Sequence, residues 1–127
     1  MVNKILLSSS LMSVIVHIVL FSIVSEFPQP WIYCLCLTTS VWNHGLTSTL
    51  AKWTDRVLVV VCVSHNIIWF YTCSHHPWSW WGAFLTLNGV SFYLVSKMFE
   101  CPKKRTYLHM VSHVCATLSN ICLGIIY

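Results

Sequence analysis

Residues 5–24 read ILLSSSLMSVIVHIVLFSIV, a run that holds Ser8, Ser9, Ser10 and His17 but no formal charge. A bilayer core ~30 Å thick needs about 20 mostly apolar residues to be crossed by a helix. This run is therefore expected to be a transmembrane helix. Lys4 ahead of an apolar stretch also fits a secretory signal. The run is longer than a usual signal core and shows no clear small-residue cleavage site, so a retained helix is expected. Just beyond it, Phe27-Pro28-Gln29-Pro30 must break any helix, because proline lacks the N–H and restricts the residue before it.

The rest of the chain repeats the theme. Apolar runs follow at 31–48, 57–73, 78–98 and 106–127, separated by a polar connection (Lys52, Asp55, Arg56), a turn (Ser74-His75-His76-Pro77) and a charged loop (Glu100 to Arg105). With the first run, at approximately 5–24, that makes five helices in one transmembrane domain over 1–127. The runs are long and do not alternate with period two, so helices are expected rather than barrel strands. The 127 residues are 57% hydrophobic and 8% charged, and mean hydropathy is +0.71. Soluble domains carry about 25% charged residues. Disorder is excluded by the aromatic content. A net charge of +4 is no nucleic-acid signal here, because the cations sit at span ends.

Those cations fix an expected orientation. In a five-helix up-and-down chain, Lys4, Lys52, Arg56, Lys97, Lys103, Lys104 and Arg105 all fall on one side, with Glu26 opposite. The positive-inside rule makes that side cytoplasmic, with the N-terminus inside and the C-terminus outside. Trp31, Trp53, Trp78, Trp80 and Trp81 fall near span ends, as in an interfacial aromatic belt.

The seven cysteines are read as small buried hydrophobes. Cys34 and Cys36 form C-x-C rather than C-x-x-C, and neither a disulfide nor a zinc knuckle is assigned. His17, His65, Asn66, Asn88 and Asn120 lie inside spans, where interhelical hydrogen bonding is the plain expectation. His75 and His76 are expected in an exposed turn.

The chemistry concentrates elsewhere. Ser40 and His44 are four apart near the end of helix two, Asp55 opens helix three, and His109 and His113 are four apart at the start of helix five. An i, i+4 pair shares one helix face, and two such histidines can grip one metal ion. The alternating helix directions bring all five residues to the cytoplasmic level. Three histidines with an open fourth position form a catalytic zinc arrangement, able to lower the pKa of bound water to about 7. Asp55 is then placed to accept a proton or to orient a histidine, and Ser40 to hydrogen-bond a developing oxyanion.

The pattern Ser40-x3-His44-x10-Asp55, with His109-x3-His113 on the last helix, resembles the CREST group of membrane hydrolases: alkaline ceramidases, progestin and adipoQ receptors, and GPI-anchor lipid-remodelling proteins. The resemblance covers roughly residues 36–60 and 105–120. It implies zinc held by His44, His109 and His113, with Asp55 and Ser40 flanking the reacting water, and ceramidase-like hydrolysis of an amide or ester bond in a membrane lipid. The family core has seven helices and this chain has room for five. The reduction keeps the parity of the last helix, and a homo-oligomer is one way to close a lipid pocket. The alternative function is a non-catalytic multi-pass protein, an assembly factor or receptor-like component with structural histidines. A minor third reading pairs His17 with His65 as haem ligands.

Overall fold

The computed structural model describes residues 3–127. Five α-helices make up its regular structure: α1 Lys4–Ile23, α2 Pro30–Gly45, α3 Thr49–Thr72, α4 Pro77–Ser96 and α5 Pro102–Ile126. Their starts follow from local chemistry. Proline opens α2, α4 and α5, where its missing N–H removes no helical bond. Asn3 and Ser48 cap α1 and α3 by accepting from the backbone N–H of Leu6 and Ala51. Gln29 takes a left-handed turn at φ 50° just before α2, and its side-chain oxygen accepts from the Trp31 indole at 2.7 Å.

The sequence places the start of helix three at residue 57. The Ser48 cap instead starts α3 at Thr49, so Lys52, Asp55 and Arg56 belong to its first two turns. Charged residues beside a span suggest a loop, yet an amphipathic helix end accommodates them.

Each helix packs on its chain neighbours, and α5 returns against α1, which closes the five into a ring. The α4–α5 seam is the most extensive. The buried residues of α4 are Ser79, Gly82, Thr86, Gly89 and Ser96, and of these Gly82, Thr86 and Gly89 are seen against α5. These spacings of three, four and seven put small residues on one stripe, which lets helix backbones approach closely. At Gly82 a Cβ would run into the ring of the buried Phe70, which would have to move.

The interior is inverted relative to a soluble globule. Among the described residues twelve buried side chains are polar or charged and eight are hydrophobic. The outside carries large apolar residues such as Ile15, Ile18, Val57, Val60, Ile68, Phe84 and Leu87. Trp31, Trp53, Trp78, Trp80 and Trp81 are exposed in the first turns of their helices. Water-soluble folds bury apolar and expose polar groups, and contiguous apolar surface of this extent seeks an apolar partner.

By length and hydropathy, two helices among the described residues are long and apolar enough to cross a membrane: α1 (mean hydropathy 2.2) and α5 (1.4). The expectation of five spans is therefore met for two by this measure. The 16-residue α2 is only about 24 Å long. Three charges occupy the start of α3, while Trp, Ser, Gly and Asn88 dilute α4.

Midway down the bundle a hydrogen-bonded chain links four helices. The Trp69 indole donates to His65 Nε2 at 2.8 Å. His65 Nδ1 and the Tyr33 hydroxyl are 2.7 Å apart, and Tyr33 donates to Asn66 Oδ1. Asn66 Nδ2 donates to Asn120 Oδ1 at 2.8 Å, Asn120 Nδ2 lies 2.8 Å from His17 Nε2, and His17 Nδ1 lies 2.7 Å from the Ser13 carbonyl. One assignment satisfies every link: both histidines are neutral and carry the proton on Nδ1. The Asn66 amide also reaches Ser119 at 3.4 Å, which with Thr86 joins α4 to the network. His17, His65, Asn66 and Asn120 thus make the expected interhelical bonds. Asn88 bonds instead to the Phe84 carbonyl of its own helix. His17 and His65 have both ring nitrogens engaged, which overturns the haem pairing.

Candidate metal centre

His109 and His113 lie one turn apart on α5, as their i, i+4 spacing requires. His44 reaches them from the last turn of α2. The three ring centroids are 4.9–5.3 Å apart. One ligand nitrogen from each lies within 4.8 Å of the other two, so this group could hold a metal ion. A zinc bound at about 2.1 Å sets its nitrogens roughly 3.4 Å apart in a tetrahedron. The rings would draw together by up to roughly 1.4 Å to reach that spacing. His44 is buried and its Nε2 has no hydrogen-bond partner. An unpaired buried nitrogen is costly unless something else occupies its lone pair or proton, and a cation would.

The outer contacts are built to present lone pairs inward. Ser9 on α1 donates to the Leu6 carbonyl at 3.0 Å, so its oxygen is left to accept from His113 Nδ1 at 2.7 Å. That bond places the His113 proton on Nδ1 and leaves Nε2 free as a ligand, a common device around protein metals. The Tyr93 ring of α4 packs edge-on against His109 with centroids 5.1 Å apart. Four helices thereby position three imidazoles.

Asp55 is buried on α3. Asn43, next to His44 in sequence, donates to its Oδ2 at 2.9 Å, and Oδ1 has no partner. Asp55 and His109 line the same two cavities, one of about 190 Å³ and one of about 580 Å³. Ser40 also lines the larger cavity, its hydroxyl 3.1 Å from that of Ser10. His44 lines the smaller cavity, Ser40 and His113 the larger, and Asp55 and His109 both, so the five sequence-selected residues lie around two cavities that share a wall.

Three contributors escaped the sequence reading: Ser9, Asn43 and Tyr93. The signal for Ser9 was the unbroken Ser8-Ser9-Ser10 inside an otherwise apolar run, since polar groups in such a setting call for partners. Of the pair in the turn, His75 is exposed and His76 half-buried; His76 caps α4 by accepting from the Trp78 N–H at 3.3 Å. All seven cysteines are free.

Comparison with family models, curated proteins and solved structures finds no match to this chain.

Proposed function

We propose that the chain is a multi-pass integral membrane protein, N-terminus cytoplasmic and C-terminus outside, that hydrolyses an amide or ester bond of a lipid with zinc held by His44, His109 and His113. The observation that carries this reading is the convergence of three imidazoles from two distant segments, with His44 Nε2 buried and unpaired. The five-span topology draws support from the apolar exterior and polar interior. It draws support also from the position of Lys52, Arg56, Lys97 and Arg105 around one cavity at one end of the bundle. The likeness to CREST hydrolases rests on Ser40, His44, Asp55, His109 and His113 and points to the same chemistry.

Three neutral imidazoles suit zinc and leave a fourth position open, and zinc there would supply Lewis acidity to polarise a carbonyl and acidify water. The chain supplies the rest. Asn43 holds Asp55 Oδ2 and fixes the carboxylate, so Oδ1 is available to take a proton from water. Ser40, one turn from His44, is placed to hydrogen-bond an oxyanion. In the overall step the water oxygen bonds to the carbonyl carbon, the C–N or C–O bond breaks, and the leaving amine or alcohol takes the proton that Asp55 removed from water. The apolar cavity gives a lipid chain a place to lie.

The test is release of fatty acid from ceramide and from phosphatidylcholine in mixed micelles by zinc-loaded, detergent-purified protein. Chelator-sensitive release that disappears in Asp55→Asn is expected. A competing non-catalytic reading is favoured by His17 and His65, which show that this chain also uses histidine for packing. It requires no bound metal and no release of fatty acid.

A further inference from the structure

The smaller cavity lies between the histidine group and the cationic end of the bundle. Lys52 and Arg56 of α3, Lys97 at the end of α4 and Arg105 of α5 all line it. Asp55 is the one carboxylate in its wall among the described residues. Topology signalling accounts for cations at this end but not for their gathering: Lys4, Lys103 and Lys104 share the same end and stay out of the cavity. Arg105, Arg56 and Lys97 each contact a neutral group. Arg105 donates from Nε and Nη2 to the Phe99 carbonyl at 3.2 and 2.9 Å. The Arg56 guanidinium lies 5.0 Å from the Trp53 ring centroid, and Lys97 Nζ 4.8 Å from that of Tyr93.

Across the histidine group lies the larger cavity, with Val60 and Leu94 in its wall and largely exposed on the bundle exterior. Asp55, Arg56, Tyr93, Lys97 and His109 line both spaces. A cationic vestibule and an apolar chamber therefore share a wall beside the three imidazoles.

We infer that the site takes an amphiphile with an anionic, phosphate-bearing head group, the phosphate in the vestibule and the chain in the apolar cavity. This rests on the lipid-hydrolase reading above and adds the charge of the substrate. Clustered cations recognise phosphate by charge-assisted hydrogen bonds, with Arg as the bidentate donor. A neutral head group would leave four like charges facing one another.

The probes are two ether-linked single-chain amphiphiles that cannot be hydrolysed, an alkyl glycerol phosphate and the matching alkyl glycerol, with inorganic phosphate as a third. Binding to the zinc-loaded, detergent-purified chain is read from tryptophan fluorescence. The phosphate-bearing amphiphile is expected to bind at least about ten-fold more tightly than the neutral one. Raising salt from about 50 mM to about 500 mM should erase most of that difference. The double variant Lys97→Gln, Arg105→Gln should lose the preference while keeping wild-type zinc content and helicity. If that variant misfolds, the salt series on the unmodified chain still decides. Equal affinities for the two amphiphiles at low salt overturn the inference. Inorganic phosphate binding as tightly as the phosphorylated amphiphile assigns the vestibule to free phosphate and overturns the lipid head group. Zinc at one per chain with no phosphate preference sinks this inference alone. A phosphate preference without zinc sinks the metal reading alone.

Discussion

Two histidine-containing clusters share the interior of this bundle, and they are wired in opposite ways. Around Asn120, every link from Trp69 through His65, Tyr33, Asn66 and Asn120 to His17 has a donor and an acceptor. Around His113, seven residues earlier on α5 and therefore about 10 Å away along its axis, two buried polar atoms are left open: His44 Nε2 and Asp55 Oδ1. Both clusters join α1, α2, α3 and α5, and both use histidine. The first is a closed circuit that ties helices together. The second stops short of closure at the junction of two cavities. Burial of a histidine therefore says little about function in such a bundle, whereas an unfilled valence beside two other imidazoles says much more.

Substitutions can break that contrast. The largest effect is expected from His113→Ala, which should take zinc from about one per chain to background by elemental analysis, while His17→Ala keeps its zinc. Next comes Asp55→Asn. It should keep metal but lower lipid hydrolysis by about 10²–10⁴-fold, since the amide cannot take up a proton. Ser9→Ala removes the acceptor that fixes His113 and should weaken zinc affinity by about 10–100-fold in a competition titration. Smallest is Asn120→Leu in the closed circuit. It strands His17 Nε2, leaves Asn66 Nδ2 only its 3.4 Å contact with Ser119, and should cost about 1–2 kcal/mol in reversible unfolding, with zinc content unchanged. If Asn120→Leu lost the metal and Ser9→Ala did not, the division between the two clusters would be drawn in the wrong place.

Much of this architecture was legible in the chain. Pro30, Pro77 and Pro102 mark helix starts, and hydrophobic run lengths gave five helices. The start of α3 was not, because Lys52, Asp55 and Arg56 look like a loop until Ser48 is recognised as a cap. The α4 seam was readable but unread: Ser79, Gly82, Thr86, Gly89 and Ser96 keep a heptad register of small residues that hydropathy passes over. At the site, His44, His109 and His113 could be chosen from i, i+4 spacing and from the alternation of helix direction. Ser9, Asn43 and Tyr93 could not, since their roles depend on which faces α1 and α4 turn toward α5 and α2 turns toward α3. Toward α5 that rotation is set by close packing at Gly89 and by hydroxyl pairs such as Ser13 with Thr117, neither of which has a one-dimensional signature. The same holds for the four cations: the sequence gives their side of the bundle, and only packing gathers Lys52, Arg56, Lys97 and Arg105 around one cavity.

The most direct measurement is zinc K-edge X-ray absorption on the detergent-purified, zinc-loaded chain. Three imidazole nitrogens at about 2.0–2.1 Å, lost in His113→Ala, are the expected result. Zinc that washes away, or a spectrum dominated by sulfur at about 2.3 Å, would contradict a centre built from His44, His109 and His113.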